Sequence, residues 1–529
     1  MTSEGLETEK KYDVDTDTAL PALHEIPGVE RVGEPSDADL EAVYFDTDDF
    51  ILAARRITLR RRTGGVDAGW HLKLPAESDT ESAPESGTDS GAEQAPRQRR
   101  EIHAPLGQAA VVPGELLAYL HVYLRGAEPV PAARLKTRRT THALYGQDGV
   151  HLADFADDRV EAETLGGASR KQEWREWELE LVHGEPDLFA AAAAALAETG
   201  ARPAAHASKL ARARGEEAPA GTAGTGGQQP VGKVAAKKQP ASGVVTAYLG
   251  EQISELLATD PAVRLEEPDA VHQMRSAARR MRSALAVYRK LFGAAPVRRL
   301  RGELQWLGSI LGSPRDSEVM RERLRTHVAE LPPEQASAVN GRLERELGRR
   351  FDAGYRRVQE VLMADRYFRL LDDLEDFRDN PPVRPAASAP AGTVAGKRVK
   401  KAVRRLRRSH KAAKREKASP GHEIALHQVR KDAKRLRHAA ESAEPVYGKR
   451  AAKLAKAARR QQKILGDHHD SVVAQALLEK MVRGPELPEQ AVAAYGSLLE
   501  TETGIIARTE AKYRKSRRKA RKLLKRGVG

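Results

Sequence analysis

The chain has 529 residues and no cysteine, and aromatic residues make up only 5% of it. The lack of thiols excludes a disulfide framework and thiolate metal sites, and it suits a reducing compartment. Few aromatics beside abundant alanine favour helices over β-sandwiches in much of the chain. Long apolar runs are missing too. The alanine run at 190–196 is short and soon meets Glu198, far below the roughly 18 apolar residues of a spanning helix. The opening MTSEGLETEKKYDV is polar, without the apolar stretch of a signal peptide. These absences predict a soluble cytoplasmic protein.

Positive charge is in excess, with 89 Lys and Arg against 75 Asp and Glu, a formal net charge of +14. Such a charge suits nucleic acid, an acidic membrane surface or polyphosphate. A GC-rich genome would inflate arginine and alanine in the same way, so composition alone does not choose. Hydrophobic residues make up 40%, enough for real cores, and the length predicts about two to four domains.

Residues 1–75 and 99–182 carry period-two patterns. WHLKL (70–74) sets Trp70, Leu72 and Leu74 against His71 and Lys73, and EWELELV (176–182) sets Trp177, Leu179 and Leu181 against Glu176, Glu178 and Glu180. Both read as strands. Residues 76–98 hold an acidic insertion; 76–93 has six acids and no base, and it reads as a disordered hairpin loop. Residues 187–213 read as helical, and 216–242, rich in Gly, Pro, Ala and Lys, as a linker. From 243 the pattern is helical, interrupted by a loop at 381–396. The run 397–417 follows, with twelve Lys or Arg and one Glu. This predicts a first domain over 1–215 and a helical domain over 243–529, with a basic loop at 381–420 and a basic tail at 512–529.

On the strands, Glu7, Glu9 and Lys11 share one face, as do Arg60 and Arg62. Lys73 lies opposite the Trp70 face; Arg99 and Glu101 alternate, as do Lys136 and Arg138. Paired carboxylates can be a surface stripe or a hard-metal site. Strands with one apolar and one charged face suit either solvent exposure or a closed barrel with a polar lumen. Spacing alone favours solvent.

The ordered set ETEKK, YFDT (44–47), LRRR (59–62), WHLKLP, K-x-R and E-x-E-L-E resembles the CYTH family, the triphosphate tunnel metalloenzymes, over about 210 residues. The resemblance implies a closed eight-stranded antiparallel barrel that binds a triphosphate and one or two divalent metals, Mg²⁺ or Mn²⁺. By position it implies metal ligands among Glu7, Glu9, Asp154, Glu176, Glu178 and Glu180. Of the last three, Glu178 and Glu180 are preferred, and the choice stays open. It implies phosphate contacts from Lys11, Arg60, Arg62, Lys73, Arg99, Lys136, Arg138 and Lys209, with Glu7, Glu9 and Lys11 central to catalysis. No cysteine or G-x-S-x-G offers a covalent nucleophile, so the inferred chemistry is metal-assisted attack by water.

The helical half repeats itself. VHQMRSAARRMRS (271–283) recurs as LHQVRKDAKRLRH (426–438), and LGSPRDS (311–317) as LGDHHDS (465–471). Such duplication predicts a pseudo-twofold bundle. On a helical wheel His272, Arg275, Arg279 and Arg282 form a shoulder beside an apolar stripe of Val271, Met274, Ala278, Met281 and Leu285. His427, Arg430, Lys434 and Arg437 repeat it. Two such shoulders can make one basic groove; a solvated amphipathic pair is the simpler reading of any one helix. Histidines with His468, His469, Asp316 and Asp470 can also gather a cation, but the neighbouring arginines oppose it. Asp316 and Asp470 can instead orient basic side chains or cap helices. These motifs resemble the CHAD family, the conserved histidine α-helical domains, over about 243–529. That resemblance implies a helical bundle binding inorganic polyphosphate, and an association with polyphosphate granules.

The fold class expected is therefore α+β: a closed antiparallel barrel with helices, a linker, then an all-α duplicated bundle. The leading function is metal-dependent hydrolysis of inorganic tripolyphosphate, with polyphosphate bound by the second half. Alternatives are a polyphosphate-binding protein whose barrel turns over poorly, and adenylate cyclase or thiamine triphosphatase activity. Nucleic acid is disfavoured because the basic helices lack stacking aromatics.

Overall fold

The computed structural model describes residues 2–75, 96–166, 169–206, 208–215, 237–417, 419–483 and 487–528. Residues 76–95 of the acidic insertion and 216–236 of the expected linker lie outside them. The chain divides into two compact units, Met1–Gly227 and Gln228–Gly529.

The first unit contains strands β1 (Ser3–Val14), β2 (Arg31–Val32), β3 (Ser36–Asp46), β4 (Thr58–Thr63), β5 (Gly69–Pro75), β6 (Arg97–Ala104), β7 (Val130–Tyr145), β8 (His151–Thr164), β9 (Lys171–Leu181) and β10 (Arg202–Pro203). Eight of them run β1-β6-β5-β4-β3-β7-β8-β9, and β9 pairs back with β1, closing an antiparallel barrel. Helices α1 (Ile51–Ala54), α2 (Gly114–Leu124), α3 (Asp187–Glu198) and α4 (Lys209–Arg214) complete the unit.

The alternation seen in the sequence explains the closure. Trp70 and Leu72 turn outward and pack fully buried against Leu116, Leu120 and Leu124 of α2. Trp177 and Leu179 pack in the same way against Leu188, Phe189, Ala192 and Leu196 of α3. Each such burial contributes about 1.5–3 kcal/mol. The intervening polar side chains must then point into the lumen, which corrects the solvent-face preference drawn from spacing. The YFDT segment has two tasks. Tyr44 faces the lumen, while the fully buried Asp46 accepts the backbone N–H groups of Thr47 (2.7 Å), Leu52 (2.9 Å) and Ala53 (2.8 Å), anchoring α1. One part of the lumen is apolar: Leu210 and Ala213 of α4 pack on Ala42, Tyr44, Ala133, Leu135, Val160 and Ala162.

The second unit is helical: α5 (Ala241–Arg264), α6 (Ala270–Tyr288), α7 (Ala294–Ile310), α8 (Gly312–Val328), α9 (Pro333–Leu362), α10 (Asp365–Asp379), α11 (Ala391–Arg415), α12 (His422–Glu441), α13 (Glu444–Tyr447), α14 (Lys449–Val482) and α15 (Glu489–Arg526). The first copy of the repeat breaks between α7 and α8 at Leu311, whereas the second runs unbroken through α14. Pro314 lies in the first turn of α8, where a missing N–H costs least. Gly354 of α9 faces it: a Cβ there would sit 2.9 Å from the Pro314 backbone nitrogen.

Three expected boundaries change. Helix α5 starts at Ala241, inside the expected linker. The basic loop at 381–420 is mostly helix α11, because Ala395, Val399, Ala402, Val403, Leu406 and Ala413 recur at three- and four-residue spacing and are buried. The basic tail is the end of α15, held by Tyr513, Ala520 and Leu524. Counting charges hid the apolar stripe that each run carries on its inner side.

Candidate functional site

The lumen gathers side chains from most of the barrel. Lys11, Arg60, Arg62, Lys73, Arg99, Arg139 and Lys209 line one cavity with Glu7, Glu9, Asp67, Glu101, Glu178 and Glu180. Seven cations thus face six acids, and the space left between them is only about 90 Å³. The side chains meet one another across it. Lys73 Nζ donates to Glu7 Oε1 (2.5 Å), and Lys11 Nζ pairs with Glu9 (3.0 Å) and with Glu178. Arg62 pairs with Asp67, and Arg60 donates to the Tyr44 hydroxyl at 3.5 Å. His71 Nδ1 lies 2.8 Å from Glu101. Burial, together with Arg60 and Arg62, pushes His71 down to about 4, so it is neutral at pH 7.

Lys209 has an exact local cause for its place. Ser208 caps α4, its Oγ accepting the Ala211 N–H at 3.1 Å, so Lys209 opens the helix and reaches inward. Its Nζ lies 2.5 Å from Glu178, 2.7 Å from Glu176 and 2.9 Å from Asp158. Burial opposes its charge, but the three carboxylates outweigh burial and raise it well above an ordinary lysine. Oxygens of Asp158, Glu176 and Glu178 lie within 4.8 Å of one another, yet the Lys209 ammonium already matches that trio.

The carboxylates of β1 differ. Glu7 Oε2 and Glu9 Oε1 are buried without a hydrogen-bond partner. Glu9 stands opposite Glu180 in the β1–β9 register, a spacing of about 5 Å between Cβ atoms. Burial, then Glu7, Glu9 and Glu178, push Glu180 up to about 7. For Glu9, Lys11, Lys73 and Arg99 outweigh burial and hold it down at about 2. Glu7 and Glu9 each keep a spare oxygen beside Glu178 and Glu180, and this crowding fits a hard cation such as Mg²⁺ or Mn²⁺ that the four would hold, Glu178 while also accepting from Lys11, Lys209 and Arg139.

The structure thus brings together Glu7, Glu9, Lys11, Arg60, Arg62, Lys73, Arg99, Glu178, Glu180 and Lys209. Glu176 is buried behind the cavity, bonded to Trp174 Nε1 at 2.6 Å. Asp154 is the register partner of Glu180, but its carboxylate is partly exposed and pairs with His151 (2.8 Å). Lys136 and Arg138 are excluded: both are exposed on the outside, Arg138 beside Asp39 at 3.7 Å. On β7 the apolar Ala133 and Leu135 face inward against α4, so the parity is the reverse of that on β5. The inward cation is Arg139, bonded to Asp158 at 2.7 and 2.6 Å and also to Glu178. Sequence reasoning missed Arg139, Asp158, Tyr44 and Asp67. Asp158 lies four residues after Asp154 on the same strand face, which was the available signal.

In the second unit, α6 and α12 pack on each other, and their shoulders converge. Val271, Met274, Ala278, Met281 and Leu285 are all buried. Arg279 is pushed down to about 10 by burial and by Arg275, Arg430, Arg282 and Arg437. Burial and Arg279, Arg282, Arg430 and Arg275 push Lys434 down to about 7. Like charges from both copies therefore share one groove. His272 and His427 are each shifted down, first by burial and then by neighbouring cations, Arg315 for the former and Lys431 for the latter. The repeated glycines make room: a Cβ on Gly312 would sit 3.2 Å from Arg275, and one on Gly466 3.8 Å from Arg430. Asp316 accepts from Arg275 at 2.8 Å, so it orients a basic side chain. Arg437 is tied to Glu441 (2.7 Å). His469, weighed in the sequence only as a cation ligand, is a groove neighbour, its ring 5.1 Å from that of His427. No described helix is long and apolar enough to cross a membrane.

Residues 5–213 match the CYTH domain family, and residues 247–479 match the CHAD domain family. Two uncharacterised proteins of Mycobacterium tuberculosis, from strains CDC 1551 and H37Rv, are each 37% identical over 542 residues, covering 98% of this chain and 97% of theirs. Among solved structures, the chain is similar to PptA from Streptomyces chartreusis, with 20% identity and a TM-score of 0.45 over 52% of this chain and 99% of that one. It is also similar to the CHAD domain from the plant Ricinus communis, with 24% identity and a TM-score of 0.43 over 53% of this chain and 92% of that one.

Proposed function

Because this chain belongs to the CYTH family, its CYTH domain followed by a CHAD domain, we propose that its barrel hydrolyses inorganic tripolyphosphate and that its helical unit binds inorganic polyphosphate. CYTH domains are triphosphate tunnel metalloenzymes. One observation carries the reading: seven cations and a carboxylate cluster with spare oxygens converge in a single closed lumen.

Arginine and lysine bind phosphate oxygens as charge-assisted donors. Lys11 and Lys73, now held by Glu178, Glu9 and Glu7, exchange those carboxylates for phosphate when substrate enters. Lys209 and Arg139 stay fixed by Asp158 and brace the wall. Glu7, Glu9, Glu178 and Glu180 would hold the divalent cation, which when bound would supply neutralisation of charge on the reacting phosphate. The closed wall orients the chain of phosphates in line and limits competing water.

The test is phosphate release from tripolyphosphate with Mg²⁺ or Mn²⁺, beside ATP, thiamine triphosphate and long-chain polyphosphate. Turnover is expected to be metal-dependent and lost in Glu7→Ala/Glu9→Ala. No turnover of any substrate, with polyphosphate still bound, would make this a binding protein. Cyclisation of ATP instead of hydrolysis would make it a cyclase.

The helical half has its own support: Lys434 and Arg279 lie half-buried among Arg275, Arg282 and Arg430, burial and these like charges push both below their ordinary values, and a bound anion would offset that crowding. Loss of polyphosphate binding in Arg275→Ala/Arg430→Ala is the expected result. Such binding would carry the protein to polyphosphate granules in the cytoplasm.

A further inference from the structure

We propose that the helical unit holds a second metal site, of a different class, where α12, α14 and α15 meet: a transition-metal site suited to Zn²⁺. Its donors are His422 and Glu423 in the first turn of α12, His468 on α14 and Glu510 on α15. His468 Nε2 lies 3.5 Å from Glu423 Oε1 and 4.0 Å from Glu510 Oε1. His422 Nε2 lies 3.5 Å from the same Glu510 oxygen. Donor atoms of Glu423, His468 and Glu510 all fall within 4.8 Å of one another.

Those separations match the chemistry. Tetrahedral Zn²⁺ with bonds of about 2.0–2.2 Å sets its ligand atoms about 3.3–3.6 Å apart. Of the three separations above, the widest, His468 to Glu510 at 4.0 Å, needs to close by roughly half an ångström. The same gaps are too long for good hydrogen bonds, which run to about 3.2 Å. The independent sign of a ligand is His468 itself. It is 3% exposed, and its Nε2, aimed at the two carboxylates, has no hydrogen-bond partner. Leaving such a group unmet is costly, and a cation removes that cost. Two imidazoles and two carboxylates suit Zn²⁺, and not the all-oxygen preference of Mg²⁺. Arg514 bonds the other Glu510 oxygen at 3.2 Å and fixes that carboxylate from outside.

The adjacent histidines thus divide. His469 turns to His427 and the basic groove, whereas His468 turns to Glu423 and Glu510. Metal here pins the first turn of α12, whose following residues include His427 and Arg430. The inference does not depend on the barrel's activity.

The experiment is Zn²⁺ titration by calorimetry of the full chain, stripped with chelator, in a Glu7→Gln/Glu9→Gln background that removes the two barrel carboxylates with spare oxygens. One Zn²⁺ per chain is expected, with a rise in melting temperature. His468→Ala, His422→Gln and Glu510→Gln should each weaken binding by on the order of tenfold or more, while His427→Ala leaves it unchanged. Far-UV circular dichroism checks folding. If His468→Ala does not fold, the two less buried positions decide. Unchanged Zn²⁺ affinity in His422→Gln and Glu510→Gln overturns the site, and so does a protein that binds Zn²⁺ only when Glu7 and Glu9 are intact.

Discussion

Arg139→Ala removes the guanidinium that Asp158 accepts twice, at 2.7 and 2.6 Å, and that also reaches Glu178. Asp158 is fully buried and Arg139 mostly so, with side-chain exposures of 0% and 21%. Breaking a buried pair by deleting one partner costs about 3–5 kcal/mol. Lys209 remains 2.9 Å from Asp158, so the low end applies, about 3 kcal/mol. For a unit of this size each kcal/mol moves the melting temperature by about 2–4 °C, giving a fall of about 6–12 °C. Arg138→Ala removes an exposed contact to Asp39 and should shift the melt by less than about 2 °C. Tryptophan fluorescence suits the assay, since Trp70, Trp174 and Trp177 of the four tryptophans lie on barrel strands. Tripolyphosphate turnover should follow the same order, falling in Arg139→Ala and persisting in Arg138→Ala. Equal effects of the two substitutions, or a larger one from Arg138→Ala, would refute the β7 register.

Polyphosphate binding should take up a proton at Lys434. Its folded value is pushed down to about 7, and a bound polyanion restores the ordinary, higher value. Affinity should therefore fall as pH rises from about 7 toward 10; calorimetry in buffers of different ionisation enthalpy should show the uptake, and Lys434→Met should abolish it. Asp46→Ala strands the N–H groups of Thr47, Leu52 and Ala53 and should cost about 3 kcal/mol, read from urea unfolding of the barrel. Gly354→Ala forces a Cβ to 2.9 Å from the Pro314 nitrogen and should destabilise the helical unit by about 1–3 kcal/mol. Gly496→Ala, with open space around it inside α15, should stabilise by about 0.4–1 kcal/mol; the two melts together check the packing.

Much of the site was legible because strand periodicity is rigid. Once Glu7 faces inward, Glu9 and Lys11 must follow, and the same holds for Glu178 and Glu180. What periodicity cannot state is which face is the inside. On β5 the apolar residues lie outside under α2, whereas on β7 Ala133 and Leu135 lie inside against α4. That is why Lys73 reaches the lumen while Lys136 and Arg138 lie outside it. The basic runs failed for another reason. Twelve charges in 397–417 drew attention from Val399, Val403 and Leu406, whose spacing specifies the buried side of a helix.

By itself, the order of residues determined the two strand-and-helix halves, the duplicated histidine helices, and the residue types that a phosphate chain and a hard cation require. Local periodicity and charge chemistry act over a few residues, so they are written in the chain. Only the tertiary structure decided that Arg139 and Asp158 complete the lumen wall, that the Lys209 ammonium lies against the Asp158–Glu176–Glu178 trio, and that His468 leaves the groove to meet Glu423 and Glu510. Each of these depends on which side chains distant in sequence share one buried volume, where low polarity makes every charge find a partner.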